Sequence, residues 1–311
     1  MDMYNIPGDT GKPFRRKVVQ NLLQGTYIDG ATDYCLLIPF ADKAKLSPEE
    51  RVWLAYLYGL SYSCTTAIRV FEAMPDPNQV KGKLVKGFWK AEKPTLYFNP
   101  DRKYIKNNDQ VIPAIKSVKD DLGGTSLLSR VVEVSQDGDS FEGLYRYIQK
   151  TWRFFGPHGS YLFLDALYGL CPEVYVDPTG LDWKNGGKTV VEGMAHMLYQ
   201  DELIQTRQFP LDRYDRAVDW LQKTTGQPKV IIESVLCAFR KLFKGTRYVG
   251  YYADRMLEEC TFVDTLEGVY TKPDVWGLRK ASIPKELRGE DQGWDGIRKD
   301  QMKRWLERGE P

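Results

Sequence analysis

YRYIQKTWRFFGPHGSYLFLDALYGLCPEVYVDPTGLDWKNGGKTVVEGMAHMLYQDE, residues 145–202, reads as helix, glycine-containing turn, helix, loop and helix. Gly156, Pro157, His158 and Gly159 form the expected turn, Asp177 falls in the loop, and Gly186 and Gly187 lead into a helix beginning at Lys188. A helix–Gly-x-x-Gly–helix element suits phosphate contact. Glycines let a backbone approach closely, and the first amides of the second helix face an anion. Lys150 and Arg153 lie just upstream, placed to neutralise the same phosphates. An ordinary αα-hairpin whose glycines only make the turn has the same pattern.

Outward from this stretch the apolar spacing stays helical. Ser47 is a candidate N-cap, with Pro48 at the first helical position and Glu50 completing a capping box. A second helix over SYSCTTAIRVFEAM ends at Pro75 and Pro77. Further helices are expected over 108–121, 139–151, 159–169, 188–200, 211–224, 229–244, 248–258 and 294–308. Residues 94–100 and 128–135 carry only weak strand signals and are expected at most to pair as a short ribbon. The expected fold is all-α with a loop-rich insertion around 75–106. A soft boundary near 122–138 divides it into an N-terminal helical part (1–125), a hairpin-containing part (126–265) and a C-terminal extension (266–311), together one catalytic unit.

Composition narrows the class. Of 311 residues, 42% are hydrophobic and 28% charged, as in an ordinary globular chain, and the net charge of +2 excludes a histone-like binder. Eight Trp, 19 Tyr and 13 Phe leave open whether the rings fill the core or line a binding surface. Cys35, Cys64, Cys171, Cys237 and Cys260 are far apart and form no C-x-x-C, and His158 and His196 are the two histidines. No metal or cofactor is expected from these residues, and the thiols fit a reducing compartment. The start, MDMYNIPGDTGKPFRRK, has no apolar core, so a cytoplasmic protein without membrane spans is expected.

Several side chains stand out by chemistry. Asp165 lies among apolar residues in SYLFLDALYGL, and Glu192 has the same character in KTVVEGMAHML. A carboxylate there is costly unless it is paired or catalytic. The two either converge on a pocket, or cap helices and pair with buried arginine. His158 has a near-neutral intrinsic pKa and is a candidate proton acceptor, phosphate donor or simple hairpin residue. His196, flanked by Met194 and Met197, reads as structural. In KGKLVKGFWKAEK, Lys86, Trp89 and Lys90 suit a loop in which cations meet phosphate and rings stack on bases. The alternative is a solvated loop with its rings tucked into the core. The basic run from Arg240 to Arg247 closes a helix, where cations need no further function.

The hairpin resembles the helix-hairpin-helix region of DNA glycosylases, and Asp177 falls at about the interval of their aspartate beside the flipped base. The usual Gly-x-Gly is replaced here by Gly156-Pro-His-Gly159. FFGPHGSYLFLDAL together with NGGKTVVEGMAHML resembles the bacteriophage amino acid:DNA transferases, relatives of the thymine-pyrophosphorylase-like helical enzymes of thymine hypermodification. The resemblance implies a helix-hairpin-helix glycosylase-like fold and an infected bacterial host's cytoplasm. Its substrates would be DNA containing a modified thymine and a free amino acid. A separate kinase pyrophosphorylates 5-hydroxymethyluracil in DNA, and the transferase then displaces pyrophosphate with the amino acid. On that resemblance Lys188 and Arg153 are expected to meet pyrophosphate, and Asp165, Asp177, Glu192 and His158 to supply proton acceptance and substrate orientation. A base glycosylase on the same scaffold and a non-catalytic DNA-binding accessory protein are the other readings.

Overall fold

Ser47 accepts a hydrogen bond from the Glu50 amide while the Glu50 carboxylate accepts from the Ser47 amide at 2.8 Å, so the expected capping box starts a helix. The computed structural model describes residues 13–24, 37–92, 94, 96–99, 110–136, 140–181, 183, 188–247, 251 and 299–310. Fourteen α-helices occur among them. They are α1 (Phe14–Gln24), α2 (Leu37–Lys43), α3 (Pro48–Ser61), α4 (Cys64–Ala73), α5 (Gly82–Glu92), α6 (Val111–Leu122) and α7 (Leu127–Gln136). The chain continues with α8 (Ser140–Thr151), α9 (Pro157–Leu170), α10 (Lys188–Met197), α11 (Leu203–Thr206), α12 (Leu211–Thr225), α13 (Lys229–Phe243) and α14 (Lys299–Arg308). The all-α expectation holds, and no strand occurs among the described residues.

Two expectations about elements are corrected. Residues 127–136 form helix α7 rather than a strand, because Glu49 on α3 accepts from the amides of Leu127 and Leu128, both at 2.8 Å. This cap arrives from a distant part of the chain and outweighs the β-branched valines. Within the supposed loop, residues 82–92 form α5, whose Trp89 side is buried while Lys83, Lys86 and Lys90 are exposed. The expected helix over 248–258 and the glycine pair Gly186–Gly187 lie outside the described residues, apart from Tyr251.

The chain divides into two compact units built from separate stretches. One contains residues 33–178 and 256–274, and its described part is α2–α9. Its centre is the packing of α3 on α9, flanked by α4, α7 and α8. Tyr56 stacks between Trp53 and Phe155, with centroids 4.9 Å away on each side, and Trp152 meets Phe163 edge-on at 5.4 Å. Much of the aromatic surplus is therefore core. The stretch 122–138 lies within this unit, carrying the turn from α6 to α7.

The other unit contains residues 1–32, 179–255 and 275–311, and its described helices are α1 and α10–α14. Here α10 packs on α13, and α1 and α14 add to α13. The helices touch at Gly193, where a Cβ would stand 2.1 Å from the Leu236 carbonyl oxygen. Only glycine fits there, and the close crossing sets the distance between side chains on either side of it.

Candidate functional site

Glu192 precedes this close crossing on α10, and its carboxylate is 2% exposed. A buried carboxylate needs partners, and α13 supplies them at positions one helical turn apart. Arg240 Nε donates to Glu192 Oε2 at 2.5 Å, and Lys244 Nζ lies 3.3 Å from the same oxygen. Lys188, one turn earlier on α10, brings its Nζ to 3.7 Å from Oε1. Three cations thus share one carboxylate. Burial alone would raise the Glu192 pKa, but Arg240 and then Lys244 outweigh it and hold the group below the ordinary 4.5. Lys188 and Lys244 are 57% and 41% exposed against 16% for Arg240, so the cluster is anchored inside and open outside. A net surplus of positive charge at an open, preorganised position is suited to binding an anion with several charges.

The same face of α10 continues to His196, whose ring stacks on Phe243 at 3.9 Å and whose Nδ1 is 2.6 Å from Asp201 Oδ1. Arg15 on α1 closes this second cluster. Its guanidinium donates to Asp201 at 2.7 Å, to the His196 carbonyl at 3.0 Å and to the Leu306 carbonyl at 2.8 Å. It also lies 4.0 Å over the Tyr199 ring. His196 therefore serves the packing of this unit, as its sequence surroundings imply.

In the other unit, α8 and α9 form the hairpin, but the turn differs in detail from the expected one. Residues 152–155 make it, with Phe154 at φ 67°, and Gly156 is the N-cap of α9. Pro157 begins the helix, and Gly159 lies buried within its first turn. Gly156 is exposed, with nothing within 4 Å of a Cβ built on it, so this glycine leaves the helix N-terminus open. Arg153 is exposed, and its amide donates to Ser117 Oγ at 2.9 Å. Lys150 is exposed near the end of α8. His158 is exposed with its ring edge on Tyr62 at 5.4 Å. Asp165 stands two turns further along α9 and is 1% exposed. Asp177 is half-buried in the following loop and accepts a hydrogen bond from the Tyr175 hydroxyl at 2.9 Å.

The candidate residues therefore occupy two neighbourhoods. Lys188 and Glu192 belong to the unit of α10 and α13; Lys150, Arg153, Gly156, His158, Gly159, Asp165 and Asp177 belong to the other. Lys86 and Lys90 lie exposed on α5, while Trp89 is 4% exposed and meets Phe98 at 5.9 Å. Trp89 is a core residue, which corrects its expected role as a base-stacking ring. Arg240 and Lys244 were legible only as helix-end cations; the signal that marks them is their spacing of four, which matches that of Lys188 and Glu192 across the helix pair. Among the described residues no group of His, Cys, Asp or Glu is arranged to hold a metal ion. Cys171 is buried and beside Glu173, which pushes its thiol up to about 12 and leaves no ready thiolate nucleophile there. No described helix is long and apolar enough to cross a membrane.

Against this geometry, the family described as amino acid:DNA transferase matches residues 37–248, a span that includes α2–α13 and both neighbourhoods. The chain belongs to the amino acid:DNA transferase family. It is also similar to a serinyltransferase of Salmonella phage ViI, with 23% identity over 271 residues, covering 77% of this chain and 65% of that protein. The chain thus spans somewhat under two thirds of the length of this relative. No solved structure matches it. The resemblance read from the hairpin and the α10 motif is to this same family.

Proposed function

We propose that the protein transfers an amino acid onto pyrophosphorylated 5-hydroxymethyluracil in phage DNA and releases pyrophosphate. The observation that carries this reading is the convergence of Lys188, Arg240 and Lys244 on one carboxylate, with both lysines open to solvent. In the reaction a bond forms between the amino acid's nitrogen or oxygen and the C5-methylene carbon. The carbon–oxygen bond to pyrophosphate breaks, and its electron pair leaves with pyrophosphate. Charge develops on the leaving group, where fixed cations are most effective because they need no reorganisation.

Glu192, held ionised by its partners, is better suited to positioning these cations than to taking a proton. The proton of the incoming amine or hydroxyl is assigned to a carboxylate or imidazole, for which Asp165, Asp177 and His158 are the candidates by residue type. Extrusion of the base from the stack is required before any such group can reach it. The glycosylase-like reading of the hairpin supports that step. The kinase that supplies the pyrophosphorylated base is a separate protein, and the relative's name makes serine the first amino acid to test.

The test is a nucleoside digest read by mass spectrometry. Hydroxymethyluracil DNA is treated with a pyrophosphorylating kinase, then incubated with the protein and mixed amino acids. A nucleoside carrying an amino-acid adduct, formed with release of pyrophosphate, is expected. Unchanged pyrophosphorylated nucleoside would overturn the reading, and release of free base would replace it with a glycosylase.

A further inference from the structure

Helices α7 and α8 enclose an open groove of about 440 Å³, lined by Arg130, Glu133 and Val134 from α7 and by Gly143, Arg146, Tyr147 and Lys150 from α8. The α8 residues follow the spacing of one helix face, so the groove runs along the helix for two turns. Its wall is fixed by Asp121, which accepts from the Tyr147 hydroxyl at 2.5 Å and from the Trp152 indole at 3.0 Å. Arg130 is committed locally: it donates to Glu133 at 2.8 Å and to the Asp121 carbonyl at 3.3 Å. Arg146 donates only its Nε, to the Glu142 carbonyl at 3.1 Å. The outer guanidinium nitrogens of Arg146 and the Lys150 ammonium have no protein partner among the described residues.

Arg146 and Lys150 are one helical turn apart, an arrangement of like charges that destabilises an isolated helix by about 0.2–0.5 kcal/mol. Among the described residues neither cation is in an ion pair, and the groove's carboxylate, Glu133, is taken by Arg130. We propose that this groove seats consecutive phosphates of a DNA strand, with Arg146 and Lys150 as the neutralising pair and Tyr147 as the floor. The inference rests on the reading of the protein as a DNA-modifying enzyme, and it places a DNA contact on α7 and α8 that the hairpin glycines do not provide. Such contacts hold the strand in register and carry no base sequence.

The test uses the full chain and a fluorescein-labelled duplex of ordinary, unmodified DNA, with binding measured by anisotropy over a salt series. The double variant R146Q/K150Q is expected to weaken binding and to reduce the slope of log K against log salt by about 1.8, two phosphate contacts at about 0.9 each. A control removing equal charge from exposed positions of α12, R213Q/R216Q, is expected to keep the slope. Circular dichroism verifies that both variants are folded. An unchanged slope in R146Q/K150Q, or an equal loss in the control, would overturn the groove as a DNA site. Failure of the amino-acid transfer assay with the salt slopes as expected would count against the chemistry alone.

Discussion

Glu192 illustrates how a single buried charge is read differently alone and in its surroundings. Its apolar sequence context marks it as either catalytic or paired, and the sequence contains no local means of choosing. The choice is made by α13, which lies nearly fifty positions away and delivers Arg240 and Lys244. The opposite happened at Trp89, whose lysine neighbours suggest a wet loop although its ring is packed beneath α5. A charged stretch and a buried ring are compatible once the stretch is helical, because the two then occupy opposite faces. Replacing Glu192 by Gln leaves three cations without their shared anion, and a loss of about 3 kcal/mol is expected from urea unfolding. Inorganic pyrophosphate is expected to raise the melting temperature of this variant more than that of the parent, since no internal carboxylate competes for the lysines. Equal shifts, or none, would show that the cluster does not bind the anion.

At the scale of elements, most helices were legible because their apolar residues recur on one face and their starts carry capping residues. The exceptions have physical causes. Helix α7 has a run of branched residues, and its first amides are satisfied by Glu49 from another helix. Helix α5 contains Gly82 and Gly87, which obscure its periodicity. The α10–α13 crossing was not legible either, because a glycine inside a helical pattern gives no sign of what approaches it. Gly193→Ala is expected to be destabilising by about 1–3 kcal/mol or more, as an overpacked contact against unyielding backbone. Gly87→Ala makes the internal comparison: nothing lies within 4 Å of a Cβ there. It is expected to add about 0.5–1 kcal/mol of stability by restricting the unfolded chain. If Gly193→Ala unfolds at the same urea concentration as the parent, the close crossing is not a constraint.

At the scale of the molecule, the family span of 37–248 omits α1 and α14, yet both are packed into the unit that carries the cation cluster. Arg15 joins them by bonding the carbonyl of Leu306 and the Asp201 carboxylate at once. Burial favours the neutral Asp201 carboxyl, but the His196 ring and the Arg15 guanidinium prevail and hold its pKa below the ordinary 3.8. Stability from a depressed carboxylate is present above its unfolded pKa and lost as pH falls through its folded value, and Glu192 acts in the same direction. The unit is therefore expected to unfold in acid below the usual carboxylate range. Arg15→Met should cost about 3 kcal/mol at neutral pH, and circular dichroism against pH should place its acid transition higher than the parent's. An unaltered transition would remove Arg15 from this role.

The packing of α1 against α13, and of α14 against α13, also has a consequence for the order in which the protein is made. Helix α1 leaves the ribosome before the surface of α13 that receives it, and α14 leaves after that surface. Domains form as their residues emerge, so α2–α9 can gather while α1 still has no place to dock. Met302 and Leu306, fully buried in the finished fold, are added only after α13 has been made. The cation cluster is thus assembled in a newborn chain in which α2–α9 have already had time to gather.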